Sequence, residues 1–330
     1  MGDIPERSQQ KWSVSTPVFN WIRRLWLPFG LPIVLYNTYK AWSYHAHKDF
    51  LRGKVVMLTG ASSGIGEALA HEFYKHGCKL ILCSRREEEL DRVREELMRR
   101  HSVTEVTPPV VLPLDLSELN SLKAKADEAL NVYGRVDILV NNGGMSYRGD
   151  IVSTHLAVDV KLMAVNYFGQ VALCKALLPG MIAQGGGSIV VIGSVQGKIA
   201  LPHRSCYAAS KHALQAFCDS MRAETSSRNV FVTVVNPGYV RTGLSENAMT
   251  ADGSKYGSMD STTANGMSPD SVAKRTIKAI ILREKEVTVS GIAPKAATWL
   301  RSVLPSLYFF IMEFRAGVRK QIDDDLAKTD

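Results

Sequence analysis

"KVVMLTGASSGIG", residues 54–66, is the stretch on which the reading of the fold turns. Its first part, "KVVMLT", is a short apolar run of the kind a strand needs when both of its faces are covered. Its second part, "TGASSGIG", spaces Gly60, Gly64 and Gly66 as G-x-x-x-G-x-G rather than the commoner G-x-G-x-x-G. Positions without a side chain let the backbone approach a pyrophosphate at a helix N-terminus, where free N–H groups and the helix dipole favour an anion. A glycine-rich turn alone is only a turn. Between a buried strand and a helix it reads as a nucleotide-binding turn, and because no Gly-Lys-Ser/Thr closes it, a P-loop is excluded.

The same rhythm continues outward. "KLILC" (79–83), "PVVLPL" (109–114), "VDILV" (136–140), "SIVVIG" (188–193), "VFVTVV" (230–235) and "EVTVS" (286–290) read as further strands. Helical stretches at 65–77, 86–100, 118–133, 155–183 and 205–225 alternate with them. Alternation of β and α units predicts an α/β fold: one Rossmann-type, doubly wound domain with a mostly parallel seven-stranded sheet and right-handed crossovers. The expected organisation is a polar tail and apolar anchor segment over 1–50, a catalytic domain over 51–295, and a C-terminal apolar helix with a charged tail over 296–330. The loop 243–268, rich in Gly, Ser, Thr, Ala and Met, is too long for an ordinary connection and reads as a substrate lid.

Composition narrows the function classes. A chain of 330 residues that is 45% hydrophobic and 22% charged is globular rather than disordered. Its formal charge of +8 invites an anionic partner, but the basic residues are scattered and form no stripe with aromatics, so nucleic acid is excluded as a partner. Five cysteines (Cys78, Cys83, Cys174, Cys206, Cys218) show no CxxC rhythm and read as buried free thiols; no residues are assigned to a metal.

Residues 20–44 include an apolar, aromatic run from Leu25 to Trp42 behind Arg23 and Arg24, interrupted by Pro28, Gly30, Pro32 and Lys40. More than twenty residues precede it, unlike a secretory signal, so a single uncleaved N-terminal anchor or interfacial segment is expected. The stretch 297–320, split by Pro305, admits three roles: a packing helix, a dimer contact or a membrane-surface element.

About twenty residues beyond the glycine turn, "CSRR" puts Ser84, Arg85 and Arg86 where an NAD site usually places a carboxylate for the ribose hydroxyls. A carboxylate would repel a 2′-phosphate, whereas a guanidinium grips one, so NADP(H) is preferred and NAD(H) is the second option. Further on, "CYAASKHA" (206–213) sets Tyr207 and Lys211 one helical turn apart. Tyr36/Lys40 and Tyr44/Lys48 repeat that spacing, so the pair decides nothing by itself. Only Tyr207 also has a serine, Ser194, thirteen residues before it at the end of a strand, and a glycine-rich βα turn upstream.

Taken together, "TGASSGIG", "LDL" (114–116), "NNGG" (141–144), Asn166 in "VNYFG", Ser194 in "IGSVQG", "YAASK" (207–211) and "NPGYVRT" (236–242) resemble the short-chain dehydrogenase/reductase family, in the family's order and over about residues 53–290. "MSYRG", "LPHRSCYAASKHA" and "TADGSKYGSMDSTTA" look like its membrane-associated member-7B branch. Gly143 departs from the alanine usual there. The resemblance implies Tyr207 as acid/base, Lys211 holding the nicotinamide ribose and stabilising the phenolate, Ser194 on the substrate oxygen, and Asn166 supporting a proton relay through water. It implies cofactor contacts from Gly60, Ser62, Ser63, Gly64, Ile65 and Gly66, from Asp115 and Leu116 beside the adenine, from Asn141 at the ribose, and from Val240 and Thr242. Asp115 also suits a helix cap, and both roles can hold at once.

The function expected is therefore an NADP(H)-preferring, membrane-associated oxidoreductase that interconverts a lipophilic carbonyl and a secondary alcohol. Apolar lid residues Leu244, Ala248, Met249, Tyr256, Met259 and Met267 support a lipid-like substrate. The rival is a cofactor-binding regulatory protein that kept the fold and lost turnover. Endoplasmic reticulum and peroxisome are both open, since "AKTD" is neither an SKL-type nor a KDEL-type address. A homodimer is also left open.

Overall fold

The computed structural model describes residues 30–101 and 107–326, with side chains described up to residue 317. Much of the expected anchor (20–29) and the end of the tail lie outside the described residues. Contacts divide the described chain between Lys48 and Asp49. In the first unit, α1 (Leu31–Ala46) opens on Gly30 with Pro32 in its first turn, and its large apolar side chains, Trp42 at 65% exposure among them, face outward.

The second unit is a seven-stranded sheet with the order β3-β2-β1-β4-β5-β6-β7. The strands are β1 (Val55–Thr59), β2 (Lys79–Ser84), β3 (Val110–Pro113), β4 (Ile138–Asn141), β5 (Gly187–Ile192), β6 (Val230–Pro237) and β7 (Glu286–Val289). Every neighbouring pair is parallel, so the expected "mostly parallel" sheet is wholly so. The order doubles back between β1 and β4, and ligands of such sheets bind outside the carboxyl ends of the strands at that switch point.

The crossovers are α2 (Gly64–Lys75), α3 (Glu87–Arg100), α4 (Leu122–Tyr133), α5 (Leu156–Met163) with α6 (Gly169–Ala183), α7 (Ser205–Glu224), the short α8 (Ser261–Ala264), and α9 (Pro269–Ile281). A π turn, Ala164–Phe168, sits where one unbroken helix is expected, between α5 and α6; such turns often mark function. Leu156–Ala183 is long and apolar enough to cross a membrane by composition, yet α6 packs on α4, β4 and β5, and Leu173, Leu177 and Met181 are buried in the core. Its apolarity is accounted for by that packing.

One core joins Met57, Ile81, Leu139, Val191 and Val234 from five adjacent strands to α4, α6 and α7. All five cysteines are unpaired and buried, and burial raises the thiol pKa of each. After β7 come α10 (Ile292–Val303), which runs through the expected boundary at residue 295, and α11 (Pro305–Leu326). Tyr308 is buried and donates its hydroxyl to Ala200 O at 2.6 Å, while Trp299, Phe310 and Phe314 remain exposed.

Candidate active site

A cleft of about 430 Å³ opens at the switch point, lined from the carboxyl ends of β1 to β6. One end is the turn between β1 and α2. Gly60 takes a left-handed φ of 65°, and a Cβ there would sit 2.8 Å from Gly143 Cα. Gly66 lies beneath the turn rather than on the cleft wall: its Cβ would meet Gly60 O at 2.0 Å. Gly66 therefore sets how closely α2 approaches the turn, and Gly60, Ser62, Ser63, Gly64 and Ile65 form the wall. A backbone cradle without side chains at a helix N-terminus fits a dinucleotide's phosphates.

Ser84, Arg85 and Arg86 line the same end. Arg86 Nη2 donates to Ser62 Oγ at 3.3 Å, which ties the β2–α3 junction to the glycine turn. Asp115 lines the cleft and accepts from both the backbone N–H and the hydroxyl of Ser117 at 2.8 Å, which closes a local turn; it caps no helix, because α4 begins only at Leu122 with Ser121 at its N-cap. Leu116 lies beside it and explains the departure at Gly143. A Cβ at Gly143 would sit 2.7 Å from Leu116 Cδ1, so the leucine methyl fills the space an alanine would take. Val240 and Thr242 complete the lining from the loop after β6.

Ser194, Tyr207 and Lys211 meet in the cleft, Ser194 from the end of β5 and the other two from the start of α7. Both hydroxyl-bearing side chains, Ser194 and Tyr207, are buried on the cleft wall. Burial raises the Tyr207 pKa above the usual phenol value, while Ser194 and the Arg148 guanidinium oppose that rise. Lys211 Nζ donates to Ile192 O at 3.0 Å and lies 6.0 Å from the Tyr207 ring centroid. Burial depresses its pKa to about 8. Lys211, the cation expected beside the phenol from the spacing, thus stands next to the Tyr207 ring, and Arg148 lines the same cleft.

Besides Gly66, two expected site residues lie behind the wall. Asn141, expected at the ribose, is fully buried, and its amide donates to Gln170 O and Cys174 Sγ on α6 at 3.2 Å each. Its neighbour Asn142 lines the cleft instead, because successive residues leaving a strand point to opposite faces. Asn166 is fully buried in the π turn. It accepts from Met145 N at 2.8 Å and donates to Met145 O at 2.9 Å and Ser210 Oγ at 3.0 Å. Its Oδ1 would lie 3.2 Å from a Cβ at Gly144, and Lys211 Nζ 3.7 Å from the same point, so it stands immediately behind Gly144 and close to the lysine.

The lid also differs from expectation. Of its six apolar residues, Leu244 alone lines the cleft, and Met249 is buried with Tyr147, Val158, Leu162, Cys206 and Tyr207. Ala248 and Met249 pack inward while Leu244 and Met259 stay exposed, and Met249 stitches the lid to the loop after β4: its N–H donates to Ser146 O, and its carbonyl accepts from Arg148 N. Arg148 and Arg204 also line the cleft, where sequence reasoning assigned them nothing. Both sit in the quoted stretches "MSYRG" and "LPHRSCYAASKHA", and that was the available signal. Glu67, His71 and Glu96 form another cluster with ligand atoms within 4.8 Å of one another, but Arg92 pairs with both carboxylates.

Residues 54–253 match the family model described as short chain dehydrogenase. The chain is 53% identical over 292 residues to "Dehydrogenase/reductase SDR family protein 7-like" of Anopheles gambiae, covering 88% of this chain and 92% of that one. It is 46% identical over 293 residues to "Dehydrogenase/reductase SDR family member 7B" of Xenopus tropicalis, covering 88% and 95%. Among solved structures, a short chain dehydrogenase/reductase from Burkholderia phymatum in complex with NAD superposes with a TM-score of 0.69 at 25% identity, over 78% of this chain and 95% of that one.

Proposed function

The chain belongs to the short-chain dehydrogenase/reductase family and is an NAD(P)-dependent oxidoreductase, and from that premise we propose that it interconverts a lipophilic carbonyl and a secondary alcohol with NADP(H) as the preferred cofactor. The observation that carries this reading is the convergence of Ser194, Tyr207 and Lys211 in the cleft whose other end holds the glycine turn and Arg85 and Arg86.

A bound nicotinamide would supply or accept the hydride. The protein's own residues handle the proton and the charge. Ser194 and Tyr207, both on the cleft wall, each offer a hydroxyl to the substrate oxygen. In reduction, Tyr207 gives its proton to that oxygen as the hydride reaches carbon; in oxidation it takes the proton back. The raised phenol pKa suits the acid of the reduction, and a cation must lower it for the reverse step. Lys211, beside the ring, serves that purpose when protonated, and the Arg148 guanidinium works in the same direction. Lys211 would hold the nicotinamide ribose, and Asn166 fixes the backbone of Met145 on the cleft wall. Arg85 and Arg86 provide charge-assisted bonds for a 2′-phosphate.

Support for an apolar substrate comes from Met145, Leu244 and Tyr239 on the cleft wall, and from the exposed apolar surface of α10 and α11, whose Arg315 donates to the Tyr239 hydroxyl at 3.3 Å. The same surface and the exposed α1 support membrane association, and the endoplasmic reticulum and the peroxisome are the two candidate sites. The test is NADPH consumption by the full-length protein with a panel of steroid, retinoid and lipid ketones. Turnover of at least one ketone is expected, reduced by at least about 100-fold in Tyr207→Phe with NADPH affinity kept. NADPH binding without turnover across the panel would favour the regulatory alternative.

A further inference from the structure

Two buried arginines, Arg148 and Arg204, share one carboxylate, that of Asp260. Asp260 Oδ2 accepts from Arg148 Nη2 at 2.6 Å and Nε at 2.9 Å, from Arg204 Nη2 at 3.0 Å, and from Ser245 Oγ at 3.0 Å. The three charged residues come from three different segments. Arg148 is on the loop after β4, Arg204 directly precedes α7, and Asp260 closes the lid. Arg148 Nη1 also donates to Ser146 Oγ and Tyr147 O, and Arg204 Nη1 reaches the same Tyr147 O at 3.0 Å.

The position of Arg204 gives this knot its consequence. It is the N-cap of α7, and its side chain makes no capping hydrogen bond. Arginine is not a capping residue, and an uncapped first turn tends to fray. Ahead of it, His203 holds a left-handed φ of 59°, which costs a non-glycine residue conformational energy. That turn persists because its surroundings hold it. Ala208 N donates to Arg204 O at 2.8 Å, so Tyr207 sits inside the turn that Arg204 opens. We propose that Asp260 is a positioning residue for Tyr207: by gripping Arg204 and Arg148 it locks the lid down and fixes the first turn of α7 in the same event. This rests on reading 243–268 as the lid over the substrate end and Tyr207 as the acid/base group.

The ion triad is buried, so breaking one partner leaves a desolvated charge and the effect is large. Amide hydrogen exchange reports it without any substrate. In the full-length, NADPH-saturated protein, Asp260→Asn should speed exchange about tenfold or more at the amides of Met249, Tyr256 and Gly257 in the lid and of Ala208 in the first turn. Amides of β5 and β6 should keep their wild-type rates, and NADPH affinity should stay within about twofold. Asp260→Glu, which restores the charge, should return most of the protection in both places. Should Asp260→Asn fail to fold, Ser245→Ala removes one donor to the carboxylate and leaves the arginines paired; lid and first turn should then loosen together, by about two- to threefold. Lid and first turn responding separately or not at all, β5 and β6 loosening equally, or no rescue by glutamate would each overturn the proposal. Because none of these readouts uses turnover, failure of the oxidoreductase reading would show in the ketone panel and not here.

Discussion

At the residue scale, the environments of Tyr207 and Lys211 shift both groups toward their neutral forms. For Lys211 this has a stability signature. At pH 7 the cofactor-free protein holds a buried ammonium below its folded pKa of about 8, and so carries the full burial penalty. As pH rises from about 8 towards the unfolded value of 10.5, the folded lysine has lost its proton and the unfolded one has not, so this group's contribution to stability rises. Urea unfolding of wild type and Lys211→Met between pH 7 and 9.5 isolates the term. The variant should be the more stable at pH 7, by roughly 1–3 kcal/mol, and the gap should narrow with pH. A gap independent of pH would show that folded Lys211 keeps its proton across this range, as an unshifted lysine does. Ser84 and Arg85 carry a second test. Wild type should bind NADPH more tightly than NADH in fluorescence titrations, and Ser84→Asp/Arg85→Leu should shrink the difference, because a carboxylate repels the 2′-phosphate and accepts the ribose hydroxyls instead. Equal affinities in wild type would remove the basis for preferring NADP(H). These residues were legible because their chemistry is local: a tyrosine and a lysine one turn apart, or an arginine after a strand. Asp260 was not, since its partners lie 112 and 56 positions away in the chain.

Among elements, the junction of β1 and α2 is the most constrained. The Cβ of Gly66→Ala would overlap a backbone carbonyl, which cannot swing aside as a side-chain end can. We expect that substitution to lower the melting temperature by several degrees and NADPH affinity by at least about tenfold, since overpacking at a helix–turn contact costs about 1–3 kcal/mol and displaces the phosphate cradle. Normal affinity in Gly66→Ala would mean that the turn tolerates a different approach of α2. Strand and helix types could be read from apolar runs and their spacing, yet the π turn at Ala164–Phe168 could not. It adds a residue to the helical turn around Asn166, whose amide satisfies both backbone groups of Met145. Nothing in the period of residues 155–183 signals that irregularity, and the partner of Asn166 there, Met145, lies 21 positions away in the chain.

For the whole molecule, the exposed apolar side chains of α1 and of α10–α11 predict how the protein partitions. Full-length protein should sediment with membranes and resist a high-salt wash, because burial of apolar surface is insensitive to screening. A chain lacking residues 1–45 should remain folded and bind cofactor, and its remaining attachment should be weaker and more salt-sensitive, held by Arg301 and Arg315 beside the apolar face of α10–α11. Full-length protein in the soluble fraction would sink the membrane assignment. The sequence by itself determined the α/β class, the seven strands and their crossovers, the nucleotide-binding turn and the Ser194–Tyr207–Lys211 set. Each of these follows from hydrophobic period or from short spacings that secondary structure converts directly into geometry. Only the tertiary structure decided that Asn142 rather than Asn141 faces the cleft, that Met249 of the lid packs into a cluster with Tyr207, and that one lid carboxylate binds two buried arginines. Those outcomes depend on which faces meet when distant segments close over one another, and a linear pattern does not encode that.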